Sequence, residues 1–346
     1  MLKGIGEAVQ TTYRLALLDL DGVVYRGKEP VAYSAESITA AEQAGMTVEY
    51  TTNNSSRLQA TVAQQLQGFG LTVEPWQVIT SSVVAARMVA REVPNGAKIL
   101  VIGAEHLRQE VAGRGLTVVD DAKDEPAAVI QGWYPELSWN ELAQASYAVE
   151  HGAKYFVTNR DLSIPRELGI APGCGAFICA VVEATGVEPI ASAGKPESAM
   201  YDEARLLAAH DGENLVPKEQ CIAIGDRLDT DIEAGNRGGY DSLVVLTGVA
   251  DPLQLMTAPV RLRPSFIARD LRDLASPMPQ PLRTGQDEWV CGQDCAILES
   301  GQVKVTDVSS VDSLRAACCL VWDIMDKGTQ SVDSLELPGF DRAELI

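Results

Sequence analysis

From Leu15 onward, short apolar runs alternate with amphipathic stretches: LALLDL at 15–20, a helical pattern over about 34–44, MTVEYTT at 46–52, and a second helical pattern over about 58–69. Parallel strands cannot be joined by a tight turn and need a crossover of a dozen residues or more. The alternation therefore predicts a doubly wound parallel sheet with helical crossovers. The same pattern returns in CIAIGD at 221–226, a helix near 229–237, and SLVVLTG at 242–248. Between the two sets, AKILVIG, AAVIQGWY and KYFVTN form another βα series of their own. This order predicts a core domain built from residues 1–82 and 190–275, with an α/β cap domain, 83–189, inserted into it.

At 346 residues the chain has room for more than one core. After residue 275 the α/β pattern stops, and SPMPQPLRTG, with prolines at 277, 279 and 281, reads as a linker. Two strand-like runs follow, EWVCG and CAILES, and then a helix with Val311, Leu314, Cys318, Val321, Trp322 and Met325 on one face. This small α+β extension, 276–346, must bury that face against the core or in the subunit interface of a homo-oligomer.

Charge narrows the partners. Asp and Glu number 48 against 28 Lys and Arg, a formal charge of −20, which disfavours binding to the phosphate backbone of nucleic acid. An anionic substrate would need a cation supplied locally. No run of 18 apolar residues is present, and MLKGIGEAVQTTYR lacks the apolar core of a signal peptide, so a cytoplasmic protein with no membrane partner is expected. The seven cysteines form no C-x-x-C and read as reduced thiols rather than zinc ligands.

Four strand ends carry the chemistry, because ligands of an open parallel sheet gather at the carboxyl ends of its strands. They are Asp19-Leu20-Asp21-Gly22, the Thr51-Thr52-Asn53-Asn54 run, Gly194-Lys195-Pro196, and GDRLDTD with Asp226, Asp229 and Asp231. Each alone is ordinary: a strand-terminal Asp often caps a helix, and Thr-Asn pairs are common in turns. Asp19 and Asp21 lie too close together for both to stay charged without a metal or a proton between them.

Taken in order, D-x-D-G-V, T-N-N, G-K-P and G-D-x-x-x-x-D resemble the haloacid dehalogenase superfamily of phosphotransferases, whose core is Rossmann-like. The position of the insertion matches members with a large α/β cap. Inside and beside it, TNRD at 158–161, PGCGAF at 172–177 and AGKPES at 193–198 resemble the p-nitrophenyl-phosphatase-like branch. The whole chain, extension included, is similar to actinobacterial glycerol-3-phosphate phosphatases.

The resemblance implies a Mg²⁺-dependent phosphomonoesterase. Asp19 would be the nucleophile, forming an aspartyl-phosphate, and Asp21 the general acid and base. Asp19, Asp226 and the backbone carbonyl of Asp21 would hold the metal, with Asp231 holding a metal-bound water or standing behind the ligands; whether Asp231 or Asp229 touches the metal directly is left open. Thr52 and Asn53 would donate to phosphoryl oxygens, and Lys195 would balance their charge. An all-oxygen site suits Mg²⁺.

In the cap, the loop from Asn159 to Gly175 is the candidate for substrate choice. Asn159, Asp161, Arg160 and Arg166 would serve as polar contacts or as a hydrogen-bond network internal to the cap, while Gly173 and Gly175 shape the loop. Residues 159–176 hold no aromatic side chain, which favours a small polyol phosphate over a planar ring. Glycerol 3-phosphate is therefore the expected small phosphorylated metabolite, with phosphoglycolate next. Pyridoxal phosphate, nucleotides and a phosphomutase reaction remain alternatives. A P-loop, a dinucleotide fingerprint and G-x-S-x-G are all absent, and His106, His151 and His210 read as surface or helix residues.

Overall fold

The computed structural model describes residues 1–166, 168–209, 214–328 and 330–346; His210 and the side chain of Arg166 lie outside the described part. The chain divides into two bodies, one made of Met1–Tyr50, Gly68–Leu71 and Ala208–Ile346, the other of Thr51–Gln67 and Thr72–Leu207.

In the first body the strands run in the order Phe266–Ala268, Asp241–Val245, Cys221–Gly225, Leu15–Asp19 and Thr47–Thr52, the last of these crossing the division after Tyr50. Leu15 pairs with Cys221, Ile222 with Asp241 and Leu243 with Phe266, all in parallel. Every residue of Leu15–Asp19 and of Cys221–Gly225 is buried, as expected of central parallel strands covered on both faces. This is why these runs read as continuous apolar stretches and not as alternating ones. The chain is α/β, a Rossmann-like parallel sheet flanked by helices.

The second body carries its own parallel sheet, in the order Ala191–Ser192, Lys154–Val157, Ala128–Gln131, Lys98–Ile102 and Thr117–Val119. Its helices are tightly started: Thr80 accepts the Val83 N–H ahead of Ser81–Glu92, and Ser138 forms a reciprocal capping box with Glu141 ahead of Trp139–Glu150. Ala191 and Ser192 pair with Phe156 and Val157, which carries this sheet past residue 189, the expected end of the cap. The Asn159–Gly175 segment contains an antiparallel hairpin, Ser163–Arg166 with Gly169–Pro172.

The extension belongs to the first body. A four-stranded antiparallel sheet, Leu282–Arg283, Glu288–Cys291, Asp294–Glu299 and Gln302–Val305, precedes the helix Val311–Lys327. Sequence periodicity predicts one apolar face on this helix, yet every residue from Ser313 to Trp322 is buried. Leu314, Cys318, Val321 and Trp322 share a cluster with Trp289, Cys291 and Ala296 of the small sheet and with Val244, Leu255 and Ile267 of the α/β core. Three polar contacts reinforce that seam: Trp322 Nε1 donates to the Leu255 carbonyl (2.9 Å), Arg315 Nε to the Ile267 carbonyl (3.0 Å), and Arg263 Nη1 to Asp326 (2.7 Å). The apolar face is thus covered by the chain's own core.

The proline-rich stretch differs from a free linker. Ile5 and Met278 exchange two backbone hydrogen bonds, 2.8 and 3.0 Å, and Met278 is buried. Prolines 277 and 279 give up amides on either side, which leaves Met278 as the residue able to pair.

Candidate active site

Asp19 ends its strand and Asp226 follows Gly225 at the end of the neighbouring one, so the parallel register brings both carboxylates to the same edge of the sheet. Asp231 arrives from the helical turn Leu228–Ile232. Among the described residues, Asp19, Asp226 and Asp231 form a group whose carboxylate oxygens lie within 4.8 Å of one another. Asp226 is 2% exposed and Asp231 1%, with Asp19 buried as well. Three like charges this close and this dry need a cation or protons. Oxygen donors alone suit a hard divalent ion.

Small residues make this convergence possible. Gly22 has φ +82°, and a Cβ there would strike the Asp226 carboxylate; a Cβ on Gly225 would strike Asp231. Asp231 Oδ2 accepts the Arg227 N–H at 3.1 Å, which closes the turn around the site. Asp229, the residue left open by the sequence, points elsewhere: it pairs with Arg227 through two bonds of 3.1 and 2.8 Å. Burial raises its carboxyl, but the Arg227 contacts override that and hold it below the usual range.

Asp21 is open to solvent, yet its carboxyl sits above the ordinary range. Desolvation by the protein around it raises it, against the smaller pull of the Gly22 N–H and the Arg26 charge. A carboxyl that keeps its proton longer suits an acid role.

One contributor goes unmentioned in the four motifs. The Val249 N–H donates to Asp226 Oδ2 at 2.6 Å, the Ala250 N–H donates to the Asp226 carbonyl at 2.8 Å, and Thr247 Oγ1 donates to the Gly22 carbonyl at 2.7 Å. Arg26 donates to the Thr247 carbonyl. The signal was available: SLVVLTG is a fifth strand that ends in polar and small residues at the same edge of the sheet.

The second body gathers the remaining candidates. Lys195 is 2% exposed, unlike the solvated lysine usual for such a loop. The Asn53 side chain braces it from both sides, with Oδ1 accepting the Lys195 N–H (2.8 Å) and Nδ2 donating to the Lys195 carbonyl (3.0 Å). Asn53 Nδ2 also reaches both oxygens of Asp161 at 3.3 Å, and Asn159 Nδ2 donates to the Asn53 carbonyl at 3.0 Å. Thr52 Oγ1 accepts the Asn54 N–H (3.2 Å). A Cβ on Gly173 or Gly175 would meet the carbonyl of Asp161 or Arg160, so both glycines set the loop's close packing.

Asn159 and Asp161 are therefore engaged with Asn53, and Arg160 donates to the Pro189 carbonyl (3.4 Å). The loop's exposed surface is more apolar than the sequence suggests, with Leu162, Leu168 and Ile170 all exposed. His106 is a helix residue, within Glu105–Gly113, but a buried one that contacts Thr80 Oγ1 at 3.2 Å inside the second body, and His151 contacts the Tyr147 carbonyl.

Comparison with known proteins agrees with this geometry. Residues 16–117 match the family model of haloacid dehalogenase-like hydrolases, and residues 192–274 match a second model for HAD-like hydrolases. A D-glycerol 3-phosphate phosphatase of Mycobacterium tuberculosis is 36% identical over 315 residues, covering 89% of this chain and 85% of that protein. A 5'-nucleotidase of Bacillus subtilis is 35% identical over 239 residues, covering 69% and 89%. Among solved structures, a glycerol phosphate phosphatase of M. tuberculosis in complex with magnesium superposes with a TM-score of 0.79 at 32% identity, covering 97% of this chain and 96% of that one. A p-nitrophenyl phosphatase from Archaeoglobus fulgidus gives a TM-score of 0.70 at 29% identity, covering 76% and 98%. Carboxylates converging at a parallel sheet edge, both family models and relatives matched over most of their length lead to one conclusion: this chain belongs to the haloacid dehalogenase-like hydrolases.

Proposed function

We propose that the chain is a Mg²⁺-dependent phosphomonoesterase acting on glycerol 3-phosphate. The observation that carries the reading is the buried convergence of Asp19, Asp226 and Asp231, with Asp21 two residues after Asp19. Mg²⁺ would be held by Asp19, Asp226 and the Asp21 carbonyl, with Asp231 beside it, and when bound it neutralises charge on the transferring phosphoryl group.

Asp19 attacks phosphorus as the ester oxygen leaves, forming an aspartyl-phosphate and splitting one displacement into two. Asp21 gives its proton to the departing alkoxide and then takes a proton from the water that hydrolyses the acyl-phosphate. Thr52 hydrogen-bonds the phosphoryl oxygens and Lys195 balances their charge. Asn53 acts through the Lys195 backbone, which its side chain holds on both sides. The same reading places the enzyme in the cytoplasm. Support for glycerol 3-phosphate comes from the name and breadth of the M. tuberculosis match and from the absence of an aromatic between residues 159 and 176.

The test is a panel of glycerol 3-phosphate, phosphoglycolate, pyridoxal phosphate, a nucleoside monophosphate and p-nitrophenyl phosphate, assayed with Mg²⁺ and with EDTA. Glycerol 3-phosphate should show the highest kcat/KM, and EDTA should abolish turnover. A tenfold preference for another ester would overturn the substrate; turnover insensitive to EDTA would overturn the metal.

A further inference from the structure

The last residues of the extension reach the backbone that holds Asp226. Arg342 Nη1 donates to the carbonyl of Gly248. That carbonyl and the Val249 N–H belong to one peptide unit, and the N–H donates to Asp226 Oδ2 at 2.6 Å. A guanidinium thus stands at one end of a single peptide group and a carboxylate of the aspartate cluster at the other. We infer that Arg342 is a positioning residue for Asp226, and that the C-terminal extension tunes the affinity of the Asp19, Asp226 and Asp231 group for its divalent cation. The inference rests on the metal-dependent reading proposed above.

Two physical effects run through that peptide. A cation against the carbonyl polarises the amide and strengthens its N–H as a donor, as in any hydrogen-bonded chain. It also fixes which way the peptide faces. Gly248 must lack a Cβ because one would collide with Asp226, and the same lack leaves the Gly248–Val249 peptide free to rotate. A rotated peptide would present its carbonyl oxygen to the Asp226 carboxylate, a repulsive arrangement, and Arg342 opposes that rotation by holding the oxygen on the far side.

The segment bearing Arg342 is itself held in place. Leu345 is buried in the cluster that includes Leu246 and Ala250, which flank the same loop, and Phe340 packs against that cluster. Arg272 Nη2 donates to the Ile346 carbonyl at 2.8 Å. Further back, the Val303 N–H donates to the Glu336 carbonyl at 2.9 Å, which ties the segment to the small antiparallel sheet.

The experiment compares full-length wild type with Arg342→Met and Arg342→Lys. Mg²⁺ affinity is measured by calorimetry without substrate, Mg²⁺ half-saturation and the KM for phosphate ester by assay, and Tm on the metal-free proteins. Arg342→Met should weaken Mg²⁺ binding at least fivefold, with KM at saturating Mg²⁺ and metal-free Tm close to wild type. Arg342→Lys, which keeps a charged donor, should recover most of the loss. Mg²⁺ affinity within twofold of wild type in Arg342→Met overturns the inference. So does an equal loss in both variants accompanied by a drop in metal-free Tm, since that marks a contact needed only for folding. Failure of the wild type itself to bind Mg²⁺ overturns the metal-dependent reading, and the inference with it.

Discussion

Glu49 sits in the Thr47–Thr52 strand with no solvent exposure, and neither carboxylate oxygen has a hydrogen-bond partner among the described residues. Burial pushes its carboxyl from 4.5 up to about 9, so in the folded protein it is protonated at neutral pH. The unfolded chain releases that proton above 4.5. Between 4.5 and 9 the native state therefore binds one proton more than the unfolded state, and stability falls as pH rises. The slope approaches about 1.4 kcal/mol per pH unit, and by pH 7 the loss relative to the acid plateau is roughly 3 kcal/mol, a large share of the ~5–15 kcal/mol typical of a folded domain.

Glu49→Gln keeps the shape and removes the titration. Urea unfolding of both proteins at pH 5.5, 6.5, 7.5 and 8.5, compared at each pH so that other groups cancel, should show the variant gaining on wild type by about 1.4 kcal/mol per unit. Stability curves that run parallel across that range would refute the reasoning and mean that Glu49 is ionised in the fold. Above pH 9 both forms titrate alike and the gap should stop widening.

Asp19→Asn should keep the wild-type circular dichroism and Tm while phosphate release falls by roughly three orders of magnitude or more, because an amide cannot attack phosphorus. Asn53→Ala removes both braces on Lys195, so kcat/KM should fall by about a hundredfold with Mg²⁺ half-saturation unchanged; a shift in the metal requirement alone would contradict the positioning role. Trp322→Ala empties a fully buried site and breaks the bond to Leu255, and should cost about 3–5 kcal/mol in unfolding free energy; a Tm within two or so degrees of wild type would show that the extension adds little to the first body.

Much of this was legible in the sequence because parallel strands buried on both faces have to be apolar throughout, so LALLD and CIAIG announce themselves. The aspartates were legible for the same reason: a carboxylate at the end of such a run is costly unless it is used. What stayed hidden depends on contacts far apart in the chain. Nothing around Leu282 signals that it pairs with Val290, and a stretch with three prolines looks like a tether until Ile5 is seen bonded to Met278. The apolar stripe read from Val311, Leu314, Cys318, Val321, Trp322 and Met325 leaves out Ala316, Ala317, Cys319 and Leu320, which are buried on the other sides of the helix; small Ala and Cys side chains are what a helix needs where it is pressed between a sheet and a second layer.

Asn53 shows the limit of motif reading most clearly. As the middle of T-N-N it stands where a donor to phosphate is expected, but its side chain is taken up by Lys195 and Asp161, residues 142 and 108 positions away. A motif records which residue types a site requires without recording what each one touches. Arg342 is the opposite case, a residue in no motif at all whose contact with Gly248 spans 94 positions. In both, the sequence names the chemical groups and the fold decides whether a group meets the substrate or holds another residue in place. A residue that acts by holding another will keep its partner's chemistry intact when it is conservatively replaced, which is why Arg342→Lys, set beside Arg342→Met, discriminates between contact and support where the loss of activity alone would not.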